Sequence, residues 1–221
     1  MRFDNNEKFF RSFFVKGAKF VGEYDIPICP CTAEELPGRL IAYSDLHSNI
    51  FAKDAFVHFY LPDWDFDGKN GIWNNPERGL EKIRRCGGII TPDFSTYVDL
   101  ALPTKIENTY RMRAFGYWIG KQGIPVINNV RWGYEDSFRY CLDGIPEESI
   151  IAVSTVGCIK TKIDRSRYSE GLDIVIARLR PRSVLVYGST PENIFGKYMD
   201  EGIPILSYPS RRDLAFNGGA R

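Results

Sequence analysis

Carboxylates, hydroxyls and one arginine recur where the apolar runs of this sequence end. Asp45 and His47 follow Arg39–Tyr43, Asp63 follows Ala55–Leu61, and Asp93 and Ser95 follow Gly88–Ile90. Asn128, Asn129, Arg131 and Trp132 close the run beginning at Val126, Ser154 and Thr155 close the run from Ser149, and Tyr187, Ser189 and Tyr208 end the last two. Asp93 has the chemistry of a general base or cation ligand. Asp45, if it shares that edge, is its catalytic partner, because two close carboxylates split their pKa values. Arg131 suits an anionic group and Trp132 a planar one. Ser95, Ser154, Tyr187 and Ser189 add hydrogen-bonding groups for a ligand.

Other chemistries find little support. The histidines are His47 and His58 alone, so a multi-histidine metal centre is ruled out, and His58 between Val57 and Phe59 reads as a core residue. Cys29-Pro30-Cys31 has the wrong spacing for zinc and no second pair. Asp63-Trp64-Asp65-Phe66-Asp67-Gly68 opens like a calcium loop, but the twelfth position is Asn74 in place of a bidentate acid, so the stretch reads as a solvated acidic turn. Neither a nucleophile elbow, a glycine-rich dinucleotide fingerprint nor a phosphate-loop lysine motif is present. No cofactor is expected, with a divalent cation the one addition the carboxylates would accept.

The elements that must position these residues are organised around Gly87–Trp132. Gly88–Ile90 is a strand that Pro92 must end. Thr104 and Glu107 have capping-box spacing, and Ile106, Tyr110, Ala114, Tyr117 and Trp118 follow one apolar helix face. Gly123 closes that helix and Val126 opens the next strand, giving a βαβ unit with parallel pairing. Seven such strands, mostly separated by helices, make an α/β protein with a parallel sheet. The spacing favours an incomplete TIM-like (β/α) barrel over an open doubly wound sheet. In either, ligands bind at the C-terminal strand ends. Gly-Ile-Pro recurs at 123–125, 144–146 and 202–204, one helix-to-strand connection used three times.

Around this core the sequence divides into a Phe-rich helix and connector over 1–38, the α/β domain over 39–209, and a tail over 210–221. Phe3, Phe9, Phe10, Phe13 and Phe14 have offsets suited to an amphipathic helix that docks on the protein or on a partner. Residues 158–167 read as a basic loop. A net charge of +1 argues against wholesale attraction to nucleic acid, although that loop keeps it open. No apolar run approaches the roughly 20 residues of a membrane span, and the five cysteines sit mainly in apolar segments. Both features point to a cytoplasmic protein with reduced thiols.

Several motifs resemble an uncharacterised bacterial, phage and plasmid family, domain of unknown function 4417. They are Asn74-Asn75-Pro76, Thr91-Pro92-Asp93-Phe94-Ser95, Asn108-Thr109-Tyr110-Arg111, Val126-Ile127 through Trp132, Asp143-Gly144-Ile145-Pro146 and Ser154-Thr155-Val156-Gly157. The resemblance spans roughly residues 39–208 and departs at Asn128-Asn129. It implies a mobile-element setting and supplies no chemistry. Three functions are then expected, in order. The first is binding or processing of a polar, phosphate-bearing or nucleotide-like small molecule at the strand ends. Next come interaction with a host or phage protein, and nucleic-acid binding through the basic loop.

Overall fold

Apolar β-branched runs become strands here, and each strand's polar exit leads into a turn or helix. The computed structural model describes residues 5–47 and 50–218, and side chains through residue 215 of the tail. Phe3 of the Phe-rich segment and the last tail residues, 219–221, lie outside the described residues. The chain forms two units, Met1–Pro146 and Glu147–Arg221.

The first unit begins with α1 (Asn5–Phe10), a 3-10 turn (Ser12–Val15) and the antiparallel pair β1 (Phe20–Val21) and β2 (Ile26–Pro27). It continues with β3 (Arg39–Ala42), β4 (Ala52–His58), α2 (Pro76–Ile83), β5 (Cys86–Ile90), α3 (Leu102–Gly120) and β6 (Val126–Asn129). Strands β3 to β6 pair in parallel and in chain order. That order lacks the reversal of a doubly wound sheet. Close pairing of β5 depends on Gly88, where a Cβ would meet the Phe56 ring at 2.5 Å. The core is aromatic: Phe14, Phe59, Phe66, Phe94, Phe115 and Trp118 are all buried. Phe14 stacks on Trp73 at 4.4 Å and Phe59 on Tyr43 at 5.1 Å.

Two local features differ from the sequence reading. The Phe-rich segment is no continuous helix, because Arg11 adopts a left-handed conformation (φ 55°) that breaks it. The Arg11 guanidinium donates to Trp73 O (2.8 Å) and Asn74 Oδ1 (2.6 Å), which anchors the reversal. Phe13 and Phe14 enter the core as a result, while Phe9 and Phe10 stay 80% and 73% exposed. Helix α3 starts at Leu102, ahead of the Thr104 capping position, with no side-chain cap. Pro103 in its first turn has the fixed φ a helix start requires, so the helix begins there and Thr104 lies inside it.

The second unit runs β7 (Ile150–Ser154), α4 (Lys162–Leu179), β8 (Ser183–Tyr187), α5 (Glu192–Asp200), β9 (Ile205–Tyr208) and α6 (Arg211–Gly218). Its strands are parallel, β7 to β8 to β9. Every residue of β7 and β8 is buried, as strands covered on both faces must be. The basic stretch expected to be a loop opens α4 instead: Thr161 and Asp164 form a capping box that starts the helix at Lys162. The protein is thus α/β, with seven parallel strands among the described residues, four in the first unit and three in the second.

Gly123, Gly144 and Gly202 of the three Gly-Ile-Pro connections all have φ between 75° and 86°. Gly144 carries a second constraint, since a Cβ there would lie 2.3 Å from Pro27 O, whereas Gly123 has open space. Gly123→Ala should cost about 1 kcal/mol from backbone strain, and Gly144→Ala clearly more. Urea unfolding midpoints of the two variants test this, and equal losses would show that the close approach at Gly144 does not matter.

Candidate functional site

The exits of β4, β5 and β6 hold two hydrogen-bonded sets of polar side chains. Pro92 ends β5, and Asp93 follows it directly. Asp93 Oδ1 accepts from Asn129 Nδ2 at 2.8 Å, and Asp93 Oδ2 lies 3.7 Å from Arg131 Nη1. The second distance exceeds that of a hydrogen bond, so it marks an ion pair by proximity. Asn129 is fixed from several sides: its N–H donates to Thr91 Oγ1 (2.8 Å) and its Oδ1 accepts from the Tyr60 hydroxyl (3.0 Å). Its amide orientation is therefore set by neighbours, and it aims a donor at Asp93.

Behind Asn129 stands Arg113 of α3, wholly buried. Its Nη1 donates to Asn129 O (3.0 Å), its Nη2 to Cys141 O (3.0 Å) and its Nε to Asp143 O (3.2 Å). Burial pulls its pKa down to about 10, opposed by the nearby Cys29, Cys141 and Asp143. The guanidinium thus stays charged at neutral pH. One side chain joins the end of β6 to the turn at 141–143. Beside it, burial pushes the Cys29 thiol up to about 12, so this cysteine is an inert packing residue at neutral pH.

The second set runs from Asp63 to Asp67. Asp63 accepts from Ser95 N (3.2 Å) through Oδ2 and from Ser95 Oγ (2.8 Å) through Oδ1. Asn108 Nδ2 donates to Ser95 O (2.6 Å), and Arg111 Nη1 donates to Asn108 Oδ1 (3.2 Å). Arg111 also pairs with Asp67 at 2.5 Å and stacks over Phe94 (3.9 Å) and Trp73 (5.0 Å). The acids of the calcium-like spacing are thereby directed to different partners. Among the described residues no three His, Cys, Asp or Glu side chains gather as a metal site.

Of the residues singled out in the sequence, Asp93, Ser95 and Arg131 sit in or beside these two sets, with Trp132 half-buried next to Arg131. Asp45 lies in the 3-10 turn after β3 and accepts from Ser44 Oγ at 3.4 Å. Strand β4 separates its exit from that of β5. Two inter-strand steps amount to about 10 Å. Ser154, Tyr187 and Ser189 belong to the second unit. There Ser154 Oγ donates to Tyr187 O (3.3 Å), Thr155 Oγ1 donates to Ser189 O (2.8 Å), and the Tyr187 hydroxyl accepts from Arg211 N (3.1 Å). These contacts hold strand ends and the start of α6 together. Sequence reasoning missed Arg113 and Tyr60, and named Asn108 only within a motif of the family resemblance, with no role at the strand ends. The one usable signal was a charged residue at 113, three places beyond Tyr110 on the apolar face of α3.

Comparison with known proteins follows the same stretch of chain. The family described as Domain of unknown function (DUF4417) matches residues 18–209. The Gene 1 protein of Mycobacterium phage D29 is 34% identical over 168 residues, 75% of this chain and 60% of that protein. The Gene 1 protein of Mycobacterium phage L5 is 34% identical over 167 residues, 75% of this chain and 71% of its own length. The chain therefore spans less than two thirds of the D29 protein. No solved structure matches.

Removing Asp63 strands both the Ser95 N–H and its hydroxyl. Asp63→Ala should cost about 1–3 kcal/mol, and a double-mutant cycle with Ser95→Ala should give a coupling of about 1 kcal/mol. Chemical denaturation of the four proteins measures it, and additive losses would deny the contact an energetic role.

Proposed function

This chain belongs to the family of Domain of unknown function (DUF4417) proteins, with phage relatives, and on that premise we propose that its first unit binds a polar, phosphate-bearing or nucleotide-like small molecule at the C-terminal ends of β4 to β6. The observation that carries this reading is the 3.7 Å pairing of Arg131 with Asp93, whose carboxylate Asn129 orients. A fixed cation beside a fixed carboxylate can bind an anionic group and a proton donor of one ligand together. Arg131, Lys105, Tyr134 and Tyr140 line a crevice of about 10 Å³. That is room for about one water molecule, so the ligand would rest its anionic end on Arg131 at the mouth of the crevice, with the remainder near Trp132. In this reading Asp93 is the general base or cation ligand of any processing step. The protein acts in the cytoplasm, a proposal consistent with the absence, among the described residues, of a helix long and apolar enough to cross a membrane.

A second reading, interaction with a host or phage protein, has its own support. Phe9 and Phe10 pack edge-to-face at 5.0 Å and remain exposed after Phe13 and Phe14 have entered the core. Paired exposed aromatics are a common anchor of protein interfaces. Recovery of one defined host or phage protein by the wild type, and none by Phe9→Ser/Phe10→Ser, would support it; equal recovery would dismiss it. The nucleic-acid reading carries less, because Arg165 turns back to Ile159 O and Arg180 pairs with Glu147.

The first reading is tested by thermal shift of wild type, Asp93→Ala and Arg131→Ala against nucleotides, sugar phosphates and divalent cations. A phosphate-bearing ligand should raise the wild-type Tm by several degrees and raise that of each variant by clearly less. Equal shifts in all three proteins, or none with any ligand, would contradict it.

A further inference from the structure

A second cleft of the first unit is unused by the strand-exit network. It encloses about 400 Å³ and is lined by Tyr43, Trp64, Asp65, Lys69, Arg78 and Lys82, among others. That volume is in the range of small-ligand sites, about 300–1,000 Å³. Its charge is arranged oddly for a plain solvated surface. Arg78 and Lys82 stand four residues apart on α2, a like-charge spacing that destabilises a helix. Neither they nor Lys69 forms an ion pair among the described residues. The Lys82 ammonium lies over the Tyr43 ring at 5.0 Å, and its pKa is lowered first by burial and then by the Arg78 charge. Of the two acids at the cleft, Asp67 is already neutralised by Arg111. Asp65 is left as an acceptor for hydroxyl or amino groups.

The aromatic side of the cleft is equally unmatched. Trp64 is 82% exposed, the most exposed tryptophan or tyrosine among the described residues with large exposed apolar area. An indole at the edge of a cationic cleft offers a stacking platform beside a phosphate-binding charge cluster. Together these two features recognise a planar base joined to a phosphate. We propose that this cleft binds a nucleoside phosphate, its phosphate held by Arg78, Lys82 and Lys69 and its base stacked on Trp64. An anion there offsets the Arg78–Lys82 repulsion by attracting both charges. The cleft shares no proposed contact residue with the Asp93–Arg131 edge, so either site can fail without the other.

The test is isothermal titration calorimetry of the full chain with AMP, inorganic phosphate and a short single-stranded oligonucleotide. AMP should bind the wild type, and Arg78→Gln/Lys82→Gln should weaken it about tenfold or more. Arg78 is exposed and Lys82 half-buried, and a cooperative melting transition no lower than that of the wild type will show that the double variant is folded. Trp64→Ala should bring AMP down to the affinity of inorganic phosphate while leaving phosphate itself unchanged. Tighter binding of the oligonucleotide than of AMP, lost in the same variants, would identify a single strand as the source of the nucleotide; AMP binding equal or tighter would identify the free nucleotide. Arg131→Ala should retain the AMP signal. No AMP binding to the wild type, equal affinity in the double variant, or loss of the signal in Arg131→Ala would each overturn the proposal.

Discussion

A single buried cation holds the strand exits of the first unit in place. Arg113 carries its guanidinium into the interior and satisfies it with the carbonyls of Asn129, Cys141 and Asp143. Desolvating a charge is expensive, and three fixed carbonyl dipoles are what make this one tolerable. The same bonds dictate where β6 ends and how the turn at 141–143 folds back. That turn leads to Gly144, whose left-handed backbone passes so close to Pro27 that no side chain fits. The interior arginine, the glycine and the β6 exit form one constraint.

The candidate chemistry depends on that constraint. Asn129 gives its carbonyl to Arg113, its N–H to Thr91 and its side chain to Tyr60 and Asp93. A residue held at four points cannot rotate freely, so Asp93 keeps its orientation towards Arg131. Order of this kind, fixed before a ligand arrives, lowers what binding must later pay in lost freedom. The Asp63–Ser95–Asn108–Arg111 set does the same for the β4 and β5 exits, and the Phe94 and Trp73 rings beneath Arg111 tie it to the aromatic core.

Much of the fold was legible because burial writes a pattern. The runs read at 39–43, 88–90, 126–130, 149–155, 184–187 and 205–208 are mostly apolar and bounded by Pro, Gly or polar residues, and each holds a strand. Asp93, Arg131 and Ser95 could be placed at one edge for the same reason, since a parallel sheet gathers its exits. What stayed hidden turns on single residues with two uses. Arg11 reads as a surface charge in an amphipathic helix, yet its left-handed backbone ends that helix and splits the phenylalanines between core and solvent. Arg113 reads as a flaw in an apolar stripe, because its three acceptors are backbone atoms that no side-chain pattern records. Thr161 and Asp164 capped a helix inside a stretch whose charge suggested a loop. The division at residues 146–147 was likewise unmarked, being one Gly-Ile-Pro connection among three.

The most direct measurement is hydrogen exchange of the wild type, Arg113→Lys and Arg113→Met under native conditions. Lysine keeps the charge but lacks the fork that reaches three carbonyls, and methionine keeps only the apolar stem. If Arg113 organises the exits, both variants will lose protection selectively over residues 126–145, while β3 and β4 retain theirs. Protection at 126–145 that is unchanged in both variants, or lost evenly along the whole first unit, would show that the strand exits do not depend on this arginine.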